Sequence, residues 1–401
     1  MAQVTTYTGT TASLRAQAID HQLLNAPTQT RLIVPTQRAV QQRMQTLLQN
    51  SPNAQGFLGR PIVTFQDFAS SLVEGSDDHF PLVSPTSQQL LFKRSIQLAN
   101  DEALLDFIGD AANRPGFIHH VQRVIAQLKQ DAIDPLAFRE LIARRAHPSP
   151  FDKAIAEIYT NYQNLLLSSK TFDLQGMYWL ADLACQSNKA KGLDTISTLL
   201  IDGFDDFTPS EFRLIQSVEK HISTLIFGLN YDPDPSRKDA YALVHSTHEH
   251  IQDSFETQSK DFEGTIDDAA TTCQQMARTL FWRDSSDLQS LSPSVKQNIH
   301  LLPCHTVTHE VENIARTIKY QIVHDGISPF DILVILIQPN LFAHTLQSVF
   351  SGAGIPVQPV QTATLSNAAT ADFFLKVYEA TAQWEREAII HLLTSPQFQS
   401  L

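Results

Sequence analysis

The chain has 401 residues, of which 42% are apolar and 18% charged, with a formal net charge of −13. That length implies two or three domains with sizeable cores, and the acidic balance excludes a uniformly basic nucleic-acid binder while leaving room for a local basic groove. The scattered Cys185, Cys273 and Cys304 form no CxxC pair, which argues against a zinc site or a disulfide framework and fits a reducing, cytosolic compartment. The N-terminus has no apolar run after a basic start, so no signal peptide is expected. No stretch reaches the roughly 18 apolar residues of a membrane span.

In chain order, residues 4–8 alternate as a short strand, Gly9 to Ser13 form a small-residue turn, and Leu14 to Leu24 carry helical spacing. Arg31 to Val34 is an apolar strand stopped by Pro35, followed by a helix from about Gln37 to Leu48. Pro61 to Phe65 is a third strand, with a helix from Phe68. Strands alternating with helices predict a parallel α/β sheet. From Ser84 to Lys191 the pattern becomes purely helical: Gln88–Ala99, Gly116–Gln130, Pro135–Arg145, Asp152–Leu167 and Gln175–Cys185. This is a helical insertion of roughly 100 residues, the size of a small domain.

The α/β pattern resumes with strand Ile196–Ile201, helix Ser210–Glu219 and strand Ser223–Leu229. Residues 230–260 read as a polar connection, Asp261–Trp282 as a helix and Asp284–Ser294 as a linker. A second α/β unit begins with strand Ile299–Leu302 and helix Thr308–His324. Ile332–Ile337 is continuously apolar, as a strand buried in a parallel sheet is. Another helix, a Gly352–Gly354 turn and a strand at Ile355–Val357 follow, and the chain from Ala371 is helical.

The chemistry centres on Leu199 to Pro209, an apolar strand that delivers Asp202 to its end, then Gly203, Phe204, Asp205 and Asp206. A Mg²⁺-binding strand end of a P-loop ATPase reads this way, because carboxylate oxygens suit that ion. The place of the water-positioning glutamate holds Gly203. The alternative is a solvated loop in which Thr208 or Ser210 caps the next helix ahead of Glu211. A working phosphate loop reads GxxxxGK[ST], whereas here Gly9, Thr10, Thr11, Ala12 and Ser13 lead into Leu14 and Arg15, with one glycine and no lysine. Arg15 would sit inside the helix rather than at its mouth. The expectation is a β-turn-α connection retained for packing, without functional ATP or Mg²⁺ binding. The cluster His245, His248 and His250, with His305 and His309, reads as surface histidines on a polar segment rather than a metal site. Arg38, Arg43, Arg60, Arg114, Arg123 and Lys129 are candidate phosphate contacts, and Thr64, Phe65 and Phe68 candidate strand or base contacts. Core packing is the alternative for the aromatics.

Taken together these segments resemble the AddB (RexB) subunit family of bacterial helicase–nuclease complexes, relatives of UvrD-like superfamily-1 helicases. Arg31 to Arg38 is similar to the family's "LVPEQR" segment, Ile62 to Phe68 to a "TFHSF"-like DNA-contacting segment, Asn113 to Phe117 with Leu128-Lys129 to "RPGF … LK", and Ile201 to Pro209 to "DGFTDFTP". Glu310–Ile318, Asp331–Leu336 and Gly354–Pro356 resemble the opening of a second RecA-like domain. The resemblance implies a RecA-like P-loop-NTPase fold. Its first domain comprises 1–83 and 192–235, interrupted by helical 84–191. A connection at 236–297, the start of a second RecA-like domain at 298–370 and the start of a helical subdomain at 371–401 follow. Gly9, Thr10, Ser13, Asp202 and Gln338 mark the degenerate nucleotide site; Arg38, Thr64, Phe65 and Arg114 are the candidate DNA contacts.

Four ATPase positions fail together: the loop lysine, the glutamate at Gly203, a glutamine within Gly228–Asp232, and an arginine where Gln338 to Asn340 stand. The expected function is a non-motor subunit that guides a DNA strand or duplex end in double-strand-break repair and docks an AddA-like motor subunit. The alternatives are an ATP-dependent helicase with a divergent phosphate loop and a protein-interaction scaffold without a ligand. The family also implies a C-terminal PD-(D/E)XK nuclease, sometimes with an iron–sulfur cluster. No such motif occurs here, so the expectation is an N-terminal fragment or truncated gene without catalytic or metal-binding residues of its own.

Overall fold

The computed structural model describes residues 2–9, 12–50, 56, 59–73, 81–233, 238–262, 300–357, 369–384, 386–395 and 398. Contacts divide the chain into two compact units, Met1–Leu291 and Ser292–Leu401.

The first unit is built on β1 (Gln3–Thr8), α1 (Ala12–Asn25), β2 (Thr30–Val34), α2 (Gln37–Asn50), β3 (Ile62–Thr64) and α3 (Phe65–Val73). After the helical block come β4 (Thr198–Asp202), α9 (Pro209–Glu219), β5 (Thr224–Gly228), α10 (Ala242–Ser254) and β6 (Thr257–Asp261). The six strands form one all-parallel sheet in the order β3-β2-β4-β5-β1-β6, a RecA-like α/β arrangement. Alternation along the strands makes two cores, because successive side chains leave opposite faces. Leu32, Val34, Leu200 and Ile226 pack with Ile19, Leu23 and Leu47 under α1 and α2. Ile33, Leu199, Ile201, Leu225 and Phe227 pack on the other face with α3, α9, α10 and the last helix of the insertion.

The sequence pattern does not predict the sixth strand. Thr257-Gln258-Ser259-Lys260-Asp261 has no apolar alternation, and it lies at the sheet edge with all but its first residue exposed. An edge strand needs no apolar face on both sides, and a lysine there discourages further pairing. The predicted helix from Asp261 falls almost wholly outside the described residues.

The insertion consists of α4 (Pro85–Asp101), α5 (Pro115–Gln130), α6 (Pro135–Ala143), α7 (Pro150–Ser168) and α8 (Leu174–Gln186). Its helix starts are written in the sequence. Ser84, Asp134 and Ser149, like Thr208 before α9, each precede a proline, and each side-chain oxygen accepts the backbone N–H three residues on. Thr208 and Glu211 complete a capping box, as the loop alternative for Leu199–Pro209 anticipated. The block has its own core of Phe92, Ile96, Val121, Ile125, Ile155, Tyr159 and Tyr162.

Within that block the prediction for Lys129 is overturned. A candidate phosphate contact must reach solvent, yet Lys129 is fully buried and its Nζ donates to Asp173 Oδ1 and Oδ2 at 3.0 and 2.8 Å. Asp173 also accepts from the Tyr162 hydroxyl at 3.0 Å and from the Gly176 N–H at 2.8 Å, which caps α8. Burial pushes the Lys129 pKa down, and Asp173 opposes that shift. One ion pair therefore ties α5, α7 and α8 together.

The second unit contains α11 (Val307–Val323), α12 (Pro339–Gly352), α13 (Ala369–Gln383) and α14 (Arg386–Thr394). Val311, Ala315, Ile318, Leu346, Phe350 and Ile355 form its core. The buried strand predicted at Ile332–Ile337 is absent. The segment is extended, but no strand among the described residues pairs with it. Ile332, Val334 and Leu336 lean on the core, while Leu333, Ile335 and Ile337 are 74%, 78% and 94% exposed. Among the described residues, helices cover one of its faces and leave the other bare. Likewise His300–Leu302 and Ile355–Val357 form no ladder. Gly354, at φ +67°, instead turns the chain out of α12 and aims the Ile355 N–H at Phe350 O.

Lys129→Ala would leave Asp173 buried and unpaired. The expected cost is about 3–5 kcal/mol, measured as a shift in urea unfolding of the helical block, with Lys153→Ala on the exposed side of α7 as the control.

Candidate functional site

The carboxyl edge of the sheet gathers the ends of β1, β4 and β5. Asp202 is the last residue of β4, level with Gly228 on β5, which in turn is level with Tyr7 on β1. Gly228 makes room for it: a Cβ there would lie 2.5 Å from Asp202 Oδ1 and 2.6 Å from Ile19 Cδ1. Asp202 is itself only 8% exposed.

The carboxylate of Asp202 faces two guanidinium groups. Arg15 of α1, 5% exposed, places its Nε 3.4 Å from Asp202 Oδ1 and donates from Nη1 to Gly9 O at 2.8 Å and Leu229 O at 3.1 Å. One side chain thus joins the loops after β1 and β5 to the end of β4. Arg43 of α2 brings Nη2 to 3.6 Å from Asp202 Oδ2, donates from Nε to Asp20 Oδ1 at 2.7 Å, and donates to Ala16 O at 2.8 Å. Burial raises the Asp20 pKa, Arg43 opposes it, and Asp202 adds to it. Two arginines and two aspartates make a neutral network, the arrangement that lets charges persist away from water.

Arg15 does lie inside its helix, as expected, but it still reaches the strand ends. The signal is present in the spacing. Arg15, Ile19 and Leu23 form an i, i+4, i+8 stripe, and the two apolar members are fully buried. Val40, Arg43 and Leu47 repeat the pattern on α2.

The loop after β1 is closed by backbone. Gly9 has φ +129°, and a Cβ there would lie 3.0 Å from the carbonyl carbon and oxygen of Phe262, whose N–H donates to Thr8 O at 2.9 Å. Thr10 and the Ser13 side chain lie outside the described residues. Beyond Asp202, Gly203 takes φ +85° against Pro35. Asp205 and Asp206 are exposed, and Thr247 donates to Asp205 O at 2.8 Å. Among the described residues no three histidine, cysteine or acidic side chains come together as a metal site would need.

The candidate DNA contacts divide by exposure. Arg38, at the start of α2, Arg60 and Arg114 are exposed. The Thr64 hydroxyl caps α3, accepting from the Asp67 N–H at 3.1 Å and donating to Asp67 Oδ2 at 2.9 Å. Phe65 is 4% exposed, packed edge-on against Tyr178 and Phe204 with centroids at 5.6 and 6.3 Å, and Phe68 is buried with it. These rings fill the core, so neither offers a face for a base. Gln338 belongs to the second unit, exposed at the start of α12.

The histidine prediction is also corrected. His245, His248 and His250 stand on α10, not on a loop, and His245 and His248 are 8% and 6% exposed. Val244, His248 and Ile251 form the helix's buried stripe, which explains why the polar composition misled.

Compared with known proteins, residues 7–281 match the model of the family described as ADDB, N-terminal. The chain belongs to the AddB N-terminal family. The match takes in Gly9, Arg15, Asp202 and the whole helical block, and stops before Gln338. Among curated relatives named as AddB-type subunits of an ATP-dependent helicase/deoxyribonuclease, that of Bacillus velezensis is 20% identical over 78% of this chain and 28% of its own length. Its counterpart from Ruminiclostridium cellulolyticum is 22% identical over 91% and 32%, and that of Bacillus subtilis 20% over 86% and 31%. The chain therefore spans about a third or less of the relatives it matches.

Gly203→Glu restores the acidic pair after β4 but forces a side chain into left-handed backbone, at a cost of roughly 1–2 kcal/mol. It leaves Asp202 paired to arginine. The expected result is a lowered melting temperature and no Mg²⁺-dependent phosphate release from ATP; measurable turnover would contradict a defunct nucleotide site.

Proposed function

We propose that these residues are the non-motor, helicase-like part of one subunit in a DNA helicase–nuclease complex. They bind and guide DNA during end processing in recombinational double-strand-break repair and dock an AddA-like motor subunit. The observation that carries the non-motor reading is the state of Asp202. A strand-end aspartate that serves a nucleotide must offer its oxygens to Mg²⁺. Here both oxygens face guanidinium groups, and Arg15 bonds the strand-end carbonyls as well. Gly9, Thr10, Ser13, Asp202 and Gln338 are read accordingly as the remains of a nucleotide site.

The names of the relatives support the DNA and subunit parts of the reading. With a net charge of −13, DNA contact must be local and made mainly to phosphates. Arg38, Arg60 and Arg114 are the residues proposed to make it, because they are exposed cations in or beside segments that resemble the family's. Thr64 contributes by fixing the start of α3 beside Arg38, with Asp67 bonded to both Thr64 and Gln37.

Fluorescence anisotropy with labelled single-stranded DNA tests this. Binding is expected at low salt, unaffected by MgATP, with Arg38→Ala weakening it on every sequence and lowering the salt slope by about 1. Absence of binding at low salt would favour a protein-interaction scaffold. Saturable MgATP binding abolished by Asp202→Ala would favour a motor.

A further inference from the structure

The His245–His248 pair belongs neither to the Asp202 network nor to the proposed DNA contacts, and its surroundings are unusual for histidine. Both imidazoles lie against one ring: Tyr231, in the loop after β5, has its centroid 4.5 Å from that of His245 and 4.3 Å from that of His248. Both side chains are more than nine-tenths buried, and the Nε2 atom of each is buried without a hydrogen-bond partner among the described residues. A neutral imidazole tolerates this at moderate cost, since one nitrogen is left unsatisfied. An imidazolium does not, because both nitrogens then carry protons and one of them has no acceptor. Two adjacent imidazolium ions would also repel each other.

The pair sits where its loss would spread. Thr247, between the two histidines, holds the loop after β4 through Asp205 O. Helix α10 runs directly into β6, whose one neighbour among the described strands is β1, in register from Val4 with Thr257 to Thr8 with Asp261. The next residue, Phe262, bonds Thr8, closes on Gly9 and lies 4.9 Å from the Tyr7 ring. Contact between α10 and Tyr231 is thus what keeps the edge strand, and the cover of the loop after β1, on the sheet.

We propose that His245 and His248 form an acid-sensitive latch on Tyr231, and that their protonation frees α10 and the edge strand β6 while the rest of the sheet stays folded. The charged groups near the pair are Glu249 on α10, Asp205 and Asp206 on the loop held by Thr247, and Asp232 beside Tyr231. Burial, then the neighbouring His245, hold the His248 pKa below its ordinary 6.5, against a smaller upward pull from Glu249. The folded state therefore takes up fewer protons at His248 than the unfolded state, so stability rises with pH through the window below 6.5 and falls as the pH drops into it.

Hydrogen exchange read by mass spectrometry on the full chain tests the latch, at about pH 8 and about pH 6, with labelling times scaled to the intrinsic exchange rate. Peptides across Ala242–Asp261 are expected to lose protection about tenfold relative to peptides from β4 and β5. The loss is expected to vanish in a His245→Phe/His248→Phe double variant, whose rings keep the stacking without a charge. Uniform loss across the sheet, no loss at all, or the same loss in the double variant would overturn the proposal. Should the double variant not fold, an NMR titration of the His248 ring in the unaltered protein decides: a midpoint below the ordinary value supports the latch, and one at or above it refutes it.

Discussion

The first unit turns on one buried ion pair at the edge of its sheet. In Asp202, β4 carries a carboxylate to a place that water scarcely reaches, and a charge in such a place persists only with a partner. Arg15 supplies it and in the same stroke fastens the ends of β1, β4 and β5. In a nucleotide-driven protein the equivalent fastening is made by a ligand that comes and goes, and the strand ends move with it. A fastening made by a covalently attached side chain has no such cycle. The sheet edge is held in one arrangement, as suits a part whose task is to present a surface.

The insertion repeats this logic inside helices. Lys129, Asp173 and Tyr162 exchange charge and hydrogen bonds within an otherwise apolar block, where Phe92 stacks on Tyr162 at 3.8 Å. An apolar trio of similar volume could be as stable. What the polar version adds is register, since only one sliding position of α5, α7 and α8 brings the three groups within bonding distance.

Much of this was legible from residue order. The five central strands and the helix starts at Pro85, Pro135, Pro150 and Pro209 follow from apolar runs and capping pairs, because those signals are local. The misses share a cause. Lys129, His245 and His248 are polar residues on buried stripes, and composition sends such residues outward while periodicity sends them inward. Periodicity won in each case. Strand β6 escaped because an edge strand has no apolar signature to read. Ile332–Ile337 failed in the opposite sense: an apolar run states that a segment seeks cover, but not that cover lies within the same stretch of chain.

That last segment has a colloidal consequence. Ile332 to Ile337 is six aliphatic residues with no charge, proline or glycine, extended, with its backbone polar groups outside any ladder among the described residues and every second side chain in solvent. Such a hexapeptide is a template for intermolecular pairing, and the neighbouring Asp331 and Pro339 are its local gatekeepers. Net charge is what remains to keep copies of the chain apart. The solution behaviour of this polypeptide is therefore set less by its well-packed sheet than by six residues of the smaller unit.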